Sequence, residues 1–474
     1  MTHETLAPQD APQDAAADPR TSLPPGTRHR LLALGAGWLG TRAVMLGLLL
    51  RDDAGWLGSG GVSREVHQLY FHWYGVLRQG GFPVGDPLWQ YPPGAGPVLL
   101  SPGLLPWLTY FQAFVTLTLV ADAVVTVALA RAGTRPGRTL AGALMWTAGL
   151  PLLLQIPLAR YDVQVTAFAV LGLLVMARSP RAGGVFAALG GLIKVWPALI
   201  LLGTPRGRAT GAAWTAAAVA AGACLTVLAV TFRHPLEFLG EQGARGVQIE
   251  SLGGTLLGVA RRLGWPGEVR YRYGAMEFTG PYVDAVAGLS LVLTVATLVL
   301  LLLWRLRARR WNEATPFDAA LTAVLLFTVT SRVISPQYMV WLIGLAAVCL
   351  TSRHTTQRPV ALLLAVATAT STVVYPVLYD EVIASTWNGC LLMLLRNGLL
   401  TAAAVLSFRR LWHSTRADPP YPHSTRAGAS YAHPTRAGQP AARAGQPTEE
   451  HDNPASPDGS TQPAGPLDRP TEKA

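Results

Sequence analysis

Long apolar runs, several reaching the roughly 20 residues that cross a hydrocarbon core of about 30 Å, divide this chain almost from end to end. In lipid such a run must satisfy its own backbone hydrogen bonds, which a single segment does as a helix. The runs are Leu31–Leu50, Tyr110–Ala130, Leu140–Leu158, Val163–Ala177, Gly184–Gly203, Gly211–Val230, Tyr282–Leu303, Phe317–Val333, Tyr338–Leu350, Val360–Leu378 and Trp387–Phe408. Charged residues make up only 14% of the chain, against roughly 25% in soluble proteins, and they collect between the runs and at the two ends. The fold class expected is an all-α polytopic membrane protein.

Arginine sets the expected orientation. Clusters stand at Arg131/Arg135/Arg138, Arg178/Arg181, Arg206/Arg208, Arg305/Arg307/Arg309/Arg310, Arg353/Arg358 and Arg409/Arg410. Basic residues beside spans mark the cytoplasmic side. Two long loops, at about 51–109 and 231–281, then face outward. So do the short links at Arg160–Asp162, Ser331–Gln337 and Asp380–Glu381, and both termini are cytoplasmic in the cell membrane. The net charge of +11 is explained by these clusters. No basic stripe with interleaved aromatics accompanies it, so nucleic acid is excluded as a partner.

One run breaks the alternation. Gly184–Gly203 has arginines on both sides, and its middle reads Ile193-Lys194-Val195-Trp196-Pro197. Pro197 removes a helical hydrogen bond and Lys194 is costly at membrane depth. Broken backbone is tolerated at that depth where it lines a protein cavity. The expectation is about ten transmembrane helices plus one re-entrant hairpin, the alternative for this run being an ordinary span with arginines on both sides.

Three regions follow. Residues 1–27 read as a disordered cytoplasmic N-terminus, without a signal-peptide layout, so the first apolar run is expected to be retained. Residues 28–412 form the membrane domain. Residues 413–474 read as a disordered cytoplasmic tail with a crude repeat at His413, His423 and His433. Cys224, Cys349 and Cys390 lie inside apolar runs and are spaced neither for zinc nor for a disulfide framework.

The groups that can carry chemistry gather on the outer face. In the first loop Val66, Leu69/Tyr70, Trp73 and Leu77 share one side at helical spacing, which predicts an amphipathic interfacial helix opening at Glu65. A carboxylate there suits either a general base or a plain helix-start charge. Trp89-Gln90-Tyr91-Pro92-Pro93 must be extended, because two prolines exclude a helix. Arg160 and Asp162 stand two apart and can simply pair. Arg396, in the last run, needs a partner, and Asp122 and Asp284 are the candidates. No glycine-rich nucleotide-phosphate loop occurs. An enzyme of this kind must therefore draw its donor from the membrane.

Five of these motifs occur in one order: Trp89-Gln90-Tyr91-Pro92-Pro93, Arg160-Tyr161-Asp162, Ile193-Lys194-Val195-Trp196-Pro197, Gln248-Ile249-Glu250-Ser251 and Ser335-Pro336-Gln337-Tyr338. Together they resemble glycosyltransferase family 87, of the GT-C class, over about residues 30–410. The resemblance implies a GT-C-like fold. It also implies transfer of mannose or a similar hexose, with inversion, from a polyprenyl-phosphate donor to a glycolipid or cell-envelope glycan acceptor at the outer interface. The base in that family is usually an Asp in the first outer loop. Here Glu65 occupies the matching stretch, with Asp162 and Asp86 as alternatives. Arg160, Lys194, Arg332, Gln337, Tyr338 and Tyr91 are then expected to bind donor phosphate and substrate. Membrane lipids are the surroundings, and no cofactor or metal is expected, the lipid-linked sugar being a substrate. A membrane transporter or lipid flippase is the alternative, because broken helices and buried charges mark those as well.

Overall fold

The structure, a computed structural model, describes residues 26–52, 61–241 and 245–416. The expectations for the N-terminal 25 residues and for the tail beyond Arg416, including His423 and His433, lie outside the described residues.

Six helices are long and apolar enough to span a membrane by length and composition. They are α1 (Thr27–Leu50), α3 (Tyr110–Gly133), α7 (Arg208–Thr231), α9 (Val283–Arg307), α12 (Arg358–Thr372, continued by a π turn to Val377) and α13 (Trp387–Thr415). Shorter apolar helices complete the bundle: α4 (Ala141–Gly149), α5 (Asp162–Met176), α6 (Pro180–Ile193), α10 (Thr315–Thr330) and α11 (Tyr338–Leu350). The chain is thus an all-α polytopic membrane protein.

Length sorts with position. Helices α1, α7 and α9 leave most of their apolar surface exposed, as lipid-facing helices do, whereas α10 and α11 bury nearly every side chain. At about 1.5 Å per residue the central α5, α6, α10 and α11 run only about 20–24 Å, while the five longest helices run about 36–44 Å. Short helices at the centre of a longer ring leave a hollow at one end. The start of α5, the end of α6, the end of α10 and the start of α11 all meet there.

The run at 184–203 folds as a hairpin. Helix α6 ends at Ile193, and after Lys194 and Val195 a 3-10 segment, Trp196–Gly203, turns back. Gly184 packs against Ala213 near the start of α7, and Gly203 packs against Pro316 at the start of α10; a side chain at either glycine would strike backbone. Both hairpin ends therefore lie at one end of the bundle, with Lys194 at the other. Arg305 closes the returning end by donating from Nη1 to the carbonyls of Leu202 (2.7 Å) and Thr204 (2.6 Å). These are carbonyls that a helix end leaves without partners.

The arginine clusters share this second end. Arg138 pairs with Glu313 at 3.0 Å and bridges to Ser352, and Arg410 donates to the carbonyl of Thr356. The hollow and the arginines occupy opposite ends of the molecule.

Three local expectations change. The run Leu140–Leu158 is not one helix: α4 stops at Gly149 and 3-10 turns follow at Leu150–Leu153 and Ile156–Ala159, where Pro151 and Pro157 lack the N–H a helix needs. The first-loop helix, a π turn at Glu65–Tyr70 continued by α2 (Phe71–Arg78), buries Val66, Tyr70, Trp73 and Leu77 as its spacing requires. That face packs on protein rings, including Phe114, Tyr161, Trp89 and Tyr91, rather than on lipid. The second long loop carries a helix α8 (Leu252–Arg262) and a small antiparallel sheet, β1 (Val247–Gln248), β2 (Glu268–Arg272) and β3 (Ala275–Thr279), in the order β1-β3-β2. Tyr273 and Gly274, both at positive φ, make the two-residue turn that fits the twist of the β2–β3 hairpin.

Candidate active site

The hollow is a cavity of about 1240 Å³ between the bundle core and the two long loops. Glu65, Tyr91, Arg160, Lys194, Arg332, Gln337 and Tyr338 line it. Of the residues expected to act as base or to bind donor and substrate, Asp162 alone does not reach the wall.

Glu65 stands at the mouth of the first-loop helix. Asp52 anchors that start from the end of α1, its Oδ2 accepting from the Ser63 N–H at 2.8 Å and its Oδ1 from Gln155 Nε2 at 3.0 Å. The Glu65 side chain keeps about a quarter of its surface, and its Oε2 lies 3.3 Å from Arg160 Nη2. Arg160 is extended (φ −138°, ψ 142°) and gives its Nη1 to the carbonyls of Val62 and Ala159. Burial works against its charge, but Glu65 and the neighbouring tyrosines more than reverse that and hold Arg160 above its ordinary value. Arg160 is thus a fixed cation.

Asp162 opens α5 and is fully buried. The expected pairing with Arg160 does not form, because the backbone turns from extended to helical between them and sends the two side chains apart. Instead Asp162 Oδ1 accepts from Lys194 Nζ and from Trp341 Nε1, both at 2.6 Å, and Oδ2 has no partner among the described residues. Four rings surround the ammonium: Tyr161 at 4.6 Å, Trp341 at 5.3 Å, Tyr91 at 5.8 Å and Tyr338 at 6.0 Å from their centroids. Aromatic faces attract a cation, so the rings and Asp162 offset part of what the Lys194 ammonium loses in leaving water at the cavity floor. Burial pushes the Tyr91 hydroxyl well above its ordinary value and keeps it neutral.

Asp86 also lines the cavity, but both its oxygens are engaged, by Trp73 Nε1 (2.8 Å) and the Leu88 N–H (2.9 Å). Across the cavity Arg332 accepts the Gln248 N–H at its carbonyl, and Gln248 Nε2 donates to Ser335 Oγ. This ties the loop strand β1 to the turn before α11.

The partner expected for Arg396 is also different. Asp122 is taken by Arg42 (2.7 Å), Trp38 and Trp146 inside the bundle, and Asp284 is exposed in the first turn of α9. Arg396 pairs with Glu250 at 2.6 Å, at 0% and 2% side-chain exposure. Glu250, Arg245, Tyr271, Tyr375 and Tyr379 are cavity residues that the sequence reading did not assign. A Glu inside the 248–251 motif and an Arg inside an apolar run were the available signals, but nothing in either stretch joins them.

Fold and cavity together define a polytopic membrane protein with one polar, cation-lined chamber at one end of an apolar bundle. The family model described as glycosyltransferase family 87 matches residues 89–336, just over half of the chain, and the chain belongs to that family. It is a membrane glycosyltransferase, and the transporter reading gives way to this. Neither curated proteins nor solved structures gave a match.

Proposed function

We propose that the chain transfers a hexose, mannose or a close relative, from a polyprenyl-phosphate donor to a glycolipid or envelope-glycan acceptor, with inversion, at the outer face of the cell membrane. One observation carries this reading: an accessible carboxylate, Glu65, shares a single cavity with the cations Arg160, Lys194 and Arg332. The acceptor hydroxyl oxygen attacks the anomeric carbon while Glu65 takes its proton. The bond from that carbon to the phosphate oxygen breaks, and the lipid phosphate leaves as an anion. Guanidinium and ammonium groups fixed in place stabilise that charge as it develops.

Among the three carboxylates weighed in the sequence, geometry favours Glu65. Both Asp86 oxygens already accept a hydrogen bond, and Asp162 lies behind Lys194, to which it is bonded. The arginine-rich end is then cytoplasmic, with both termini, and the cavity opens outward. Donor lipids lying in the outer leaflet meet the cavity at the depth of the short central helices.

The test is transfer by purified protein in lipid. Radiolabelled hexose should pass from a β-linked polyprenyl phosphate to extracted envelope lipids, giving an α linkage, and not from a nucleotide sugar. Transfer from the nucleotide sugar alone, or retention of configuration, would overturn the reading.

A further inference from the structure

We propose that Glu250 is a specificity-determining residue that accepts a hydrogen bond from one sugar hydroxyl in the cavity, through the oxygen that Arg396 leaves open. The inference rests on the reading of the cavity as the sugar site.

Three observations support it. The first is the expense of the pair. Two ions are taken out of water almost completely, a design that an apolar pair of similar volume equals or betters in stability. Stability therefore does not explain it.

The second is how firmly Glu250 is held. Arg396 Nη1 and Asn397 Nδ2 both donate to the Glu250 carbonyl, at 2.8 and 3.2 Å. Asn397 Nδ2 also reaches the Ser251 carbonyl (3.2 Å) and Thr255 Oγ1 (2.6 Å). Ser251 caps α8 through the Gly254 N–H at 2.9 Å. Backbone and side chain are thus fixed from α8 on one side and α13 on the other.

The third is direction. Arg396 Nη2 takes Oε2 at 2.6 Å, and among the described residues nothing bonds Oε1. Glu250 lines the cavity near Tyr375 and Tyr379. An oriented carboxylate oxygen facing a polar cavity is an acceptor, and sugar hydroxyls are donors. A hydrogen bond to a charged acceptor in a site shielded from water discriminates strongly against a ligand lacking the donor. The hydroxyl can belong to the transferred hexose or to the acceptor glycan. The chemistry is the same, and the experiment separates the two.

Transfer is measured with the parent polyprenyl-phosphate hexose, with a set of monodeoxy donors and with a set of monodeoxy acceptors, for wild type, Glu250→Gln and the double variant Glu250→Leu/Arg396→Met. Wild type should reject one deoxy compound by about 10²-fold or more in kcat/KM. That compound names donor or acceptor as the source of the hydroxyl. In Glu250→Gln the parent should fall toward the deoxy compound, leaving a ratio below about tenfold. The double variant removes both charges, so it should fold and lose the same discrimination. If the variants lower the parent and every deoxy compound by one common factor, Glu250 is only a clamp between α8 and α13, and the inference is overturned. If wild type fails with the parent donor itself, the donor reading above fails instead.

Discussion

Lys194 Nζ and Asp162 Oδ1 lie 2.6 Å apart, the lysine on the cavity floor and the aspartate entirely behind it. The lysine sits at the turn of a hairpin and the aspartate at the start of a helix, so the pair joins two backbone breaks. In the proposed mechanism this leaves Asp162 to position the lysine. A group that cannot touch the acceptor cannot take its proton, and a carboxylate already bonded to an ammonium and an indole is a poor base.

Asp162→Asn should therefore damage folding as well as activity. The substitution leaves the Lys194 ammonium with its aromatic ring cage but without a counter-charge, and breaking a buried pair on one side costs about 3–5 kcal/mol. Thermal unfolding in detergent should shift down by several degrees. Replacing both groups, as Asp162→Leu/Lys194→Met, should recover much of that loss while leaving transfer absent. Full activity in the double variant would remove Lys194 from the mechanism.

Glu65→Gln should show the opposite separation. Its side chain is half-buried at the cavity edge, and the amide can still accept from Arg160. Melting temperature should change little, while transfer falls by about 10²–10⁴-fold, the usual contribution of a general base. Glu65→Asp should keep part of the activity. Near-normal transfer by Glu65→Gln would return the base to Asp86 or another carboxylate.

Much of this was legible in the chain because membranes penalise exceptions. Lys194 and Pro197 in one apolar run pointed to a break, and the arginines flanking that run pointed to ends on one side, both before any geometry. Glu65, Arg160 and Tyr91 drew notice differently, through outer-loop position and the motifs of the family resemblance, and they do share one cavity. What stayed hidden is pairing at long range. Arg396 announced the need for a partner, but Glu250 lies 146 residues away in a loop, and the two stretches share no pattern. Burial direction was hidden too: Arg160 and Asp162 look like a local pair until the backbone at Tyr161 separates them. The hairpin at Tyr273-Gly274 was missed because Tyr-Gly is a weak turn signal compared with Asn-Gly.

The pH dependence of binding should report Glu250. Burial pushes its carboxyl up to about 7, against the lowering effect of Arg396. Arg396 is the cation that faces it, and Tyr338, Tyr375 and Tyr379 are the other titratable groups within its field. Above about pH 7 the carboxylate accepts a hydroxyl; below it, the proton occupies that role. KM should therefore rise as pH falls through about 7, and the rise should be missing in Glu250→Gln. Stability runs the other way. The folded state holds this proton more tightly than the unfolded chain, so the contribution is fully present below the ordinary carboxylate range and is lost as pH rises through about 7. A KM profile identical in wild type and variant would mean that Glu250 does not meet the substrate.

The hairpin makes the strictest topological prediction. Reporter fusions after Arg181 and after Arg208 flank α6 and the 3-10 segment, and the packing of Gly184 on Ala213 and of Gly203 on Pro316 puts both points at the arginine end. Both fusions should report the cytoplasm. A cysteine placed at Arg64, on the cavity rim, should be labelled by an impermeant reagent from outside, and one at Arg309 should not. The fusion pair and the cysteine pair test different things. If the fusions disagree with each other, the 184–203 segment crosses the membrane and Lys194 loses its place at a turn. If the fusions agree but labelling is reversed, the hairpin stands and the molecule is inverted. The cavity would then open to the cytoplasm, where nucleotide sugars are, and a lipid-linked donor in the outer leaflet could not reach Glu65.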